Sequence, residues 1–142
     1  PQYQSEIEIK AGDSKTEASV SVTKDKDGNV TAATATVASD KGTISADVVK
    51  QLKEAAGTDD VTVKLEVKDA SGNVKYTVSI DAKNVKPNTS LKVVAVNKKT
   101  GALELVNNKT YKTDKDGNVS VSFKQGADYK LCVQQQTESK QC

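Results

Sequence analysis

The sequence predicts an α+β domain that is predominantly antiparallel β. Its hairpins would lie sandwich-like or in one sheet, with a single packed helix at about 45–56. Three observations carry this. Apolar residues alternate with polar ones along much of the chain, the period of a half-buried strand. Turns built from Asp, Gly and Asn separate the alternating runs. One stretch alone switches to a helical period, with its own start and stop signals. With 142 residues, the chain suits one domain and is short for two. The expectation is a single unit over 1–142, with 1–16 as a loose N-terminal strand and 134–142 as a polar tail.

The elements follow in order. Ile7 and Ile9, flanked by Glu6, Glu8 and Lys10, make the first alternating run. Asp25-Lys26-Asp27-Gly28-Asn29-Val30 is a turn whose glycine suits the left-handed region. The helix takes Ser45 as N-cap and Asp47 in its first turn, where the positive end of the dipole favours a carboxylate. Gly57 is its stop. Val48, Val49, Leu52, Ala55 and Ala56 form one apolar stripe. A helix this short is marginal alone in water, so the stripe must dock on a sheet.

Val61, Val63, Leu65 and Val67 alternate next, then the turn Asp69-Ala70-Ser71-Gly72-Asn73-Val74, then Val74, Tyr76, Val78 and Ile80. Runs at 91–96 and 103–106 flank Lys98-Lys99-Thr100-Gly101. Asp114-Lys115-Asp116-Gly117-Asn118-Val119 is a near copy of the two earlier Asp turns. The segments between the copies do not match, so this is recurrent turn chemistry and not a repeat. Val119, Val121 and Phe123 are expected to form a last hairpin with Tyr129, Leu131 and Val133 through Lys124-Gln125-Gly126-Ala127-Asp128. The expected core sets Leu52 against Val63, Leu65, Val67, Tyr76, Val78, Ile80, Val121, Phe123 and Leu131.

Composition narrows the chemistry. There is no His, Trp or Met, and all 21 basic residues are Lys, against 19 carboxylates. A catalytic His is excluded, and so is a bidentate arginine clamp. The net charge of +2 is evenly spread, so nucleic-acid binding has no electrostatic footprint. No apolar run approaches the ~20 residues of a membrane-spanning helix, so membrane insertion is not expected. The opening Pro1-Gln2-Tyr3 is not a signal peptide and reads as the start of a mature or excised fragment.

Candidate sites are few. The Asp-x-Asp-Gly-Asn turns resemble calcium loops, but EF-hand counting puts Thr23 and Lys112 at the first ligand position, so hairpin turns are expected. Asn29, Asn88, Asn108 and Asn118 begin Asn-x-Ser/Thr triplets, two of them at turns where the Asn already has a role. The carboxylate pairs Asp25/Asp27, Asp59/Asp60 and Asp114/Asp116 lie in turns or at an element boundary, where they are expected to be solvated, with no desolvation to tune a pKa. No Gly-x-Ser-x-Gly elbow occurs, so no enzyme, cofactor or metal is expected. Tyr76, Phe123 and Tyr129 fall in phase with strand cores, leaving Tyr3 and Tyr111 as sugar platforms. The lysines sit on polar phases or in turns, which disfavours an isopeptide crosslink to Asn. Cys132 and Cys142 are the only cysteines, too few for zinc. Two readings stand: unremarkable thiols, or a tail disulfide of an oxidising compartment that pins the terminus. Strand parity places Cys132 opposite Tyr129, Leu131 and Val133, facing outward.

The run Thr43-Ile44-Ser45-Ala46-Asp47-Val48-Val49-Lys50-Gln51-Leu52-Lys53-Glu54-Ala55, followed by Val61-Thr62-Val63-Lys64, resembles the helix-then-strand segment of modules in secreted and cell-wall proteins of Gram-positive Clostridia. Such modules often adjoin S-layer homology repeats. The stretch from Leu91 through Lys99-Thr100-Gly101 to Gly117-Asn118-Val119-Ser120-Val121-Ser122-Phe123 and Tyr129 is similar to their closing part. The likeness covers about residues 28–133. Gly126-Ala127-Asp128 stands where those modules often carry an aromatic-Ser cluster. The resemblance implies a non-catalytic structural or spacer module on an exported bacterial surface protein, and it carries over no active-site residue. The alternative is an adhesin-type module recognising a host protein or glycan. The expected partners are neighbouring domains of the same protein, or that host ligand. The expected state is a monomer outside the cell.

Overall fold

The computed structural model describes residues 2–11, 14–96, 100, 102–123 and 127–133. The strands are β1 (Gln2–Ala11), β2 (Ser14–Lys24), β3 (Val30–Ser39), β4 (Thr43–Ile44), β5 (Val61–Lys68), β6 (Val74–Asp81), β7 (Ser90–Val96), β8 (Leu103–Lys112), β9 (Val119–Ser120) and β10 (Ala127–Val133). The helix α1 spans Ala46–Ala56, and a 3-10 turn, Ala82–Asn84, follows β6. Eight strands form one sheet in the order β1-β2-β3-β5-β6-β10-β7-β8, and β4 pairs with β9 in a separate two-stranded piece.

The sheet is mixed, which corrects the expectation of antiparallel hairpins throughout. β3 runs parallel to β5, and β6 runs parallel to β10. The first parallel pair follows from α1. A helix between consecutive strands returns the chain to the end it started from, so the next strand must run the same way. The second has a different cause. β6 and β7 are neighbours in sequence but not in the sheet, because β10 fills the gap between them. β10 meets β6 over Ala127↔Tyr76 to Leu131↔Ile80, and β7 over Asp128↔Val96 to Val133↔Leu91.

This placement overturns the expected last hairpin. Only Val119 and Ser120 of the 119–123 run are strand, paired with Ile44 and Thr43. The alternation there is real, since Val119 and Val121 are buried while Ser120 and Ser122 are exposed. It reflects a strap lying across the core, not a rung of the main sheet. Residues 124–126 of the expected turn lie outside the described residues.

The other hairpins match expectation. β2–β3, β5–β6 and β7–β8 are antiparallel. The first sixteen residues hold a strand paired along its length, with Gln2↔Thr23 through Ala11↔Ser14, at the sheet edge.

α1 begins and ends as the sequence reads. The Val48 N–H donates to Ser45 Oγ (3.5 Å), and Gly57 adopts φ 74° with its N–H on Lys53 O. The helix packs against β1, β2 and β5. Val48, Val49, Leu52 and Ala56 are buried, but Ala55 is exposed. Ala55 lies beyond the edge of the stripe, because its neighbour Ala56 and Leu52, one turn back, already fill the sheet-facing side. The core holds Leu52, Val63, Leu65, Val67, Tyr76, Val78, Ile80, Val121 and Leu131 as expected, whereas Phe123 is only partly buried. Val74 is 42% exposed, because it sits beside the β-bulge at Val67/Lys68.

Cys132 also departs from expectation. It does face away from Tyr129 and Leu131, yet it is buried at 4% exposure. β10 is an inner strand, so residues of two neighbours flank the thiol side; Val94 on β7 is buried there too. Cys132 is disulfide-bonded, and Cys142 lies outside the described residues.

Two substitutions test this packing. Leu52→Ala should cost about 2–5 kcal/mol in a urea titration, because it empties the centre of the helix–sheet contact; a loss below about 0.5 kcal/mol would make the helix peripheral. Gly42→Ala should cost about 3 kcal/mol, since a Cβ there would overlap the Val121 carbonyl and crowd the Tyr76 hydroxyl. Gly28→Ala meets nothing within 4 Å and should lose only about 1–2 kcal/mol for its left-handed φ.

Candidate functional site

Three places gather the residues that the sequence singles out: the Asp turns, the aromatics, and the cleft at the start of α1.

The turns share one hydrogen-bond pattern. Asp25 Oδ1 accepts from the N–H groups of Asp27 (2.9 Å) and Asn29 (3.0 Å). Asp69 Oδ1 does so from Ser71 and Asn73, both at 2.9 Å. Asp114 Oδ1 accepts from Asp116 (2.8 Å) and Asn118 (2.9 Å). Gly28, Gly72 and Gly117 take φ of 84°, 84° and 92°, as their turn role requires. The N–H of Asn29, with that of Asp27 also contributing, holds the Asp25 carboxyl below the usual carboxylate range. Those of Asn118 and Asp116 do the same for Asp114. These oxygens are occupied by backbone donors. Among the described residues no group of three or more Cys, Asp or Glu is arranged to hold a metal ion.

The third turn has a second task. Asn118 Oδ1 accepts from the Ala46 N–H (2.8 Å), one of the donors left open at the helix start. Ser45, directly before the helix, and Asn118, far from it in sequence, thus cap α1 together. A strap runs on from there. Thr43 and Ser120 hydroxyls meet at 2.9 Å, Val121 N–H donates to Gly42 O (2.7 Å), and Tyr76 OH donates to Val121 O (3.2 Å). Burial pushes the Tyr76 phenol above its ordinary pKa.

Tyr76, Tyr111, Phe123 and Tyr129 converge where the strap ends. Phe123 stacks on Tyr129 (3.9 Å, 19°) and meets Tyr76 and Tyr111 edge-on at 5.6 and 5.8 Å. Tyr111 is therefore a packing residue and not a free sugar platform. Tyr3 is 54% exposed on the edge strand, with Lys24 Nζ 5.4 Å from its ring centroid.

The sequence reading took Ser-x-x-Lys to be absent as well, and that is corrected: Ser21-Val22-Thr23-Lys24 has the spacing. It lies on β2, where residues three apart point to opposite faces. Ser21 Oγ instead accepts from Gln2 Nε2 (2.7 Å). The pair makes no nucleophile and base. Asn88, the first residue of one glycosylation triplet, is exposed with φ 53°, whereas Asn118 of another is engaged in the helix cap.

A cleft of about 300 Å³ opens beside the first turn of α1. Val37, Val48, Val49, Val63 and Leu65 make its floor; Ser39, Asp40, Lys41, Thr43 and Ser45 stand at its mouth. Sequence reasoning missed it, because β3 and the loop to α1 carry no chemical motif. It is a concave apolar surface with a polar rim, without a desolvated acid or base.

No protein-family model, curated protein or solved structure matches this chain. No helix among the described residues is long and apolar enough to cross a membrane.

The turn geometry predicts an acid dependence. The folded-state carboxyls of Asp25 and Asp114 are depressed, so their contribution is fully present above the unfolded value of about 3.9. It is lost as pH falls through the folded value. Asp114→Asn keeps the acceptor oxygen and removes the charge, so it should flatten the acid limb of a stability–pH curve measured from pH 7 downward. Millimolar calcium should leave the melting temperature unchanged; an upward shift would show that the turns bind the ion.

Proposed function

We propose that the chain is a non-catalytic structural module of an exported bacterial surface protein. The observation that supports this is how its reactive-looking groups are used. Turn carboxylates receive backbone donors, Asn118 caps a helix, and four of the five aromatics pack together. The side chains that would do chemistry elsewhere hold this fold together. The likeness to clostridial wall modules agrees with that role, and a disulfide at Cys132 suits an oxidising compartment.

A second reading, adhesion to a host protein or glycan, is favoured by the cleft beside α1 and by exposed Tyr3. One experiment separates the two. The chain is passed over immobilised glycans and extracellular-matrix proteins. A structural module should show no saturable binding up to about 100 µM. Saturable binding at about 10 µM or tighter, a free energy near −7 kcal/mol, that is lost on Thr43→Trp or Tyr3→Ala would establish the adhesin.

A further inference from the structure

We propose that β10 is an exchangeable strand, and that a second copy of this chain can fill the slot between β6 and β7 with its own β10, giving a reciprocal two-fold dimer. The argument begins with the slot. β6 and β7 are consecutive in sequence, run antiparallel and stand one strand apart, so without β10 each presents an unpaired edge. The slot walls carry Val78, Ile80, Leu91 and Val93, all fully buried. An empty slot therefore exposes apolar side chains and two rows of unpaired backbone groups, the condition that recruits another strand.

The filler is the last strand of the main sheet among the described residues. Ala127–Val133 follows the strap by only three residues, 124–126. Everything that makes the slot is N-terminal to it. The β10 of a neighbour carries the same complement to these walls as the chain's own. Leu131 supplies the buried apolar contact, and the Thr77 hydroxyl donates to Asp128 Oδ1 at 2.5 Å, which fixes the register. Both arrangements contain the same contacts, so concentration decides between them. A short connection gives β10 an effective concentration on the order of mM for its own slot. Monomers should dominate below that, and exchange should appear when chains refold near it.

The test uses the full chain. Isotopically heavy and light chains are unfolded in denaturant, mixed, and refolded at about 10 µM and about 1 mM, concentrations below and near that crossover. Native mass spectrometry should find dimers, including mixed-mass ones, with a fraction at least about tenfold higher at the upper concentration, where refolding competes with the tether. Monomer alone at both concentrations overturns the proposal.

Two variants then locate the contact. Thr77→Cys and Asp128→Cys are placed on separate full chains carrying Cys132→Ser and Cys142→Ser. Refolded together, they should give a covalent heterodimer joined between positions 77 and 128. Combined in one chain and oxidised as the monomer at about 10 µM, the same two cysteines should lock β10 in its own slot, and that oxidised chain should give no dimer when refolded without reductant at about 1 mM. Mixed dimers of the two variants that lack that crosslink overturn the proposal. If the variants fail to fold, hydrogen exchange on the unsubstituted dimer decides. Protection along β6 and β7 equal to the monomer's supports exchange, whereas added protection along the edges of β1 or β8 overturns it.

Discussion

The structure depends on one non-local event, the seating of β10 between β6 and β7. Among the described residues no other strand joins the two halves of the sheet. On one side lie β1, β2, β3, β5 and β6, linked by three antiparallel pairs and one helical crossover; on the other, β7 and β8 form a hairpin of their own. Sequence-adjacent pairing would have closed β6 directly onto β7. The chain instead leaves that gap and returns later to fill it. Such a contact costs loop-closure entropy before it gains burial, so the strap that delivers β10 has to be held in place by its own bonds.

Those bonds are concentrated at the start of α1. The Asn118 side-chain oxygen accepts from the Ala46 N–H, while the Val121 N–H donates to the Gly42 carbonyl at a separation only a glycine permits. Tyr76 reaches up from β6 to the Val121 carbonyl, and its ring meets Phe123. At the other end of the strap, Thr113 is buried and exchanges bonds with Thr89 and the Lys86 carbonyl. Helix cap, strap and central strand are therefore one connected unit. This explains why the same Asp-x-x-Gly-Asn turn has different consequences in its three copies. At Asp25 and Asp69 it joins two paired strands, whereas at Asp114 it turns the chain out of the sheet and across the core.

Much of the fold was legible locally. The helix and its caps, the period-two runs of β5 and β6, the turn glycines and the core of those elements rest on interactions between residues a few positions apart, or on which face of an element is dry; the buried faces of β2 and β3, among them Val20, Val22, Ala35 and Val37, were not in the expected core. Misreadings arose where an alternating pattern has two uses. Val119, Val121 and Phe123 look like a strand whether they sit in a sheet or lie on top of one, because only one face is buried in either case. Cys132 reads as outward-facing by parity, and parity is correct, but an inner strand has neighbours on both sides and its second face need not meet water. The cleft beside α1 left no trace in the sequence, because Val37, Val49 and Val63 are ordinary core residues whose arrangement alone makes a concavity.

The sequence by itself determined the elements, their faces, and the absence of histidine and arginine chemistry. Side-chain period, capping and turn preference act over a few residues and are written directly in the chain. Only the tertiary structure decided strand order and direction: that β3 is parallel to β5, that β10 is parallel to β6, and that Asn118 caps a helix seventy-two residues away. Pairing choices among strands of similar pattern are settled by which arrangement satisfies every buried donor and fills the core at once. That is a property of the whole chain, and no local window contains it.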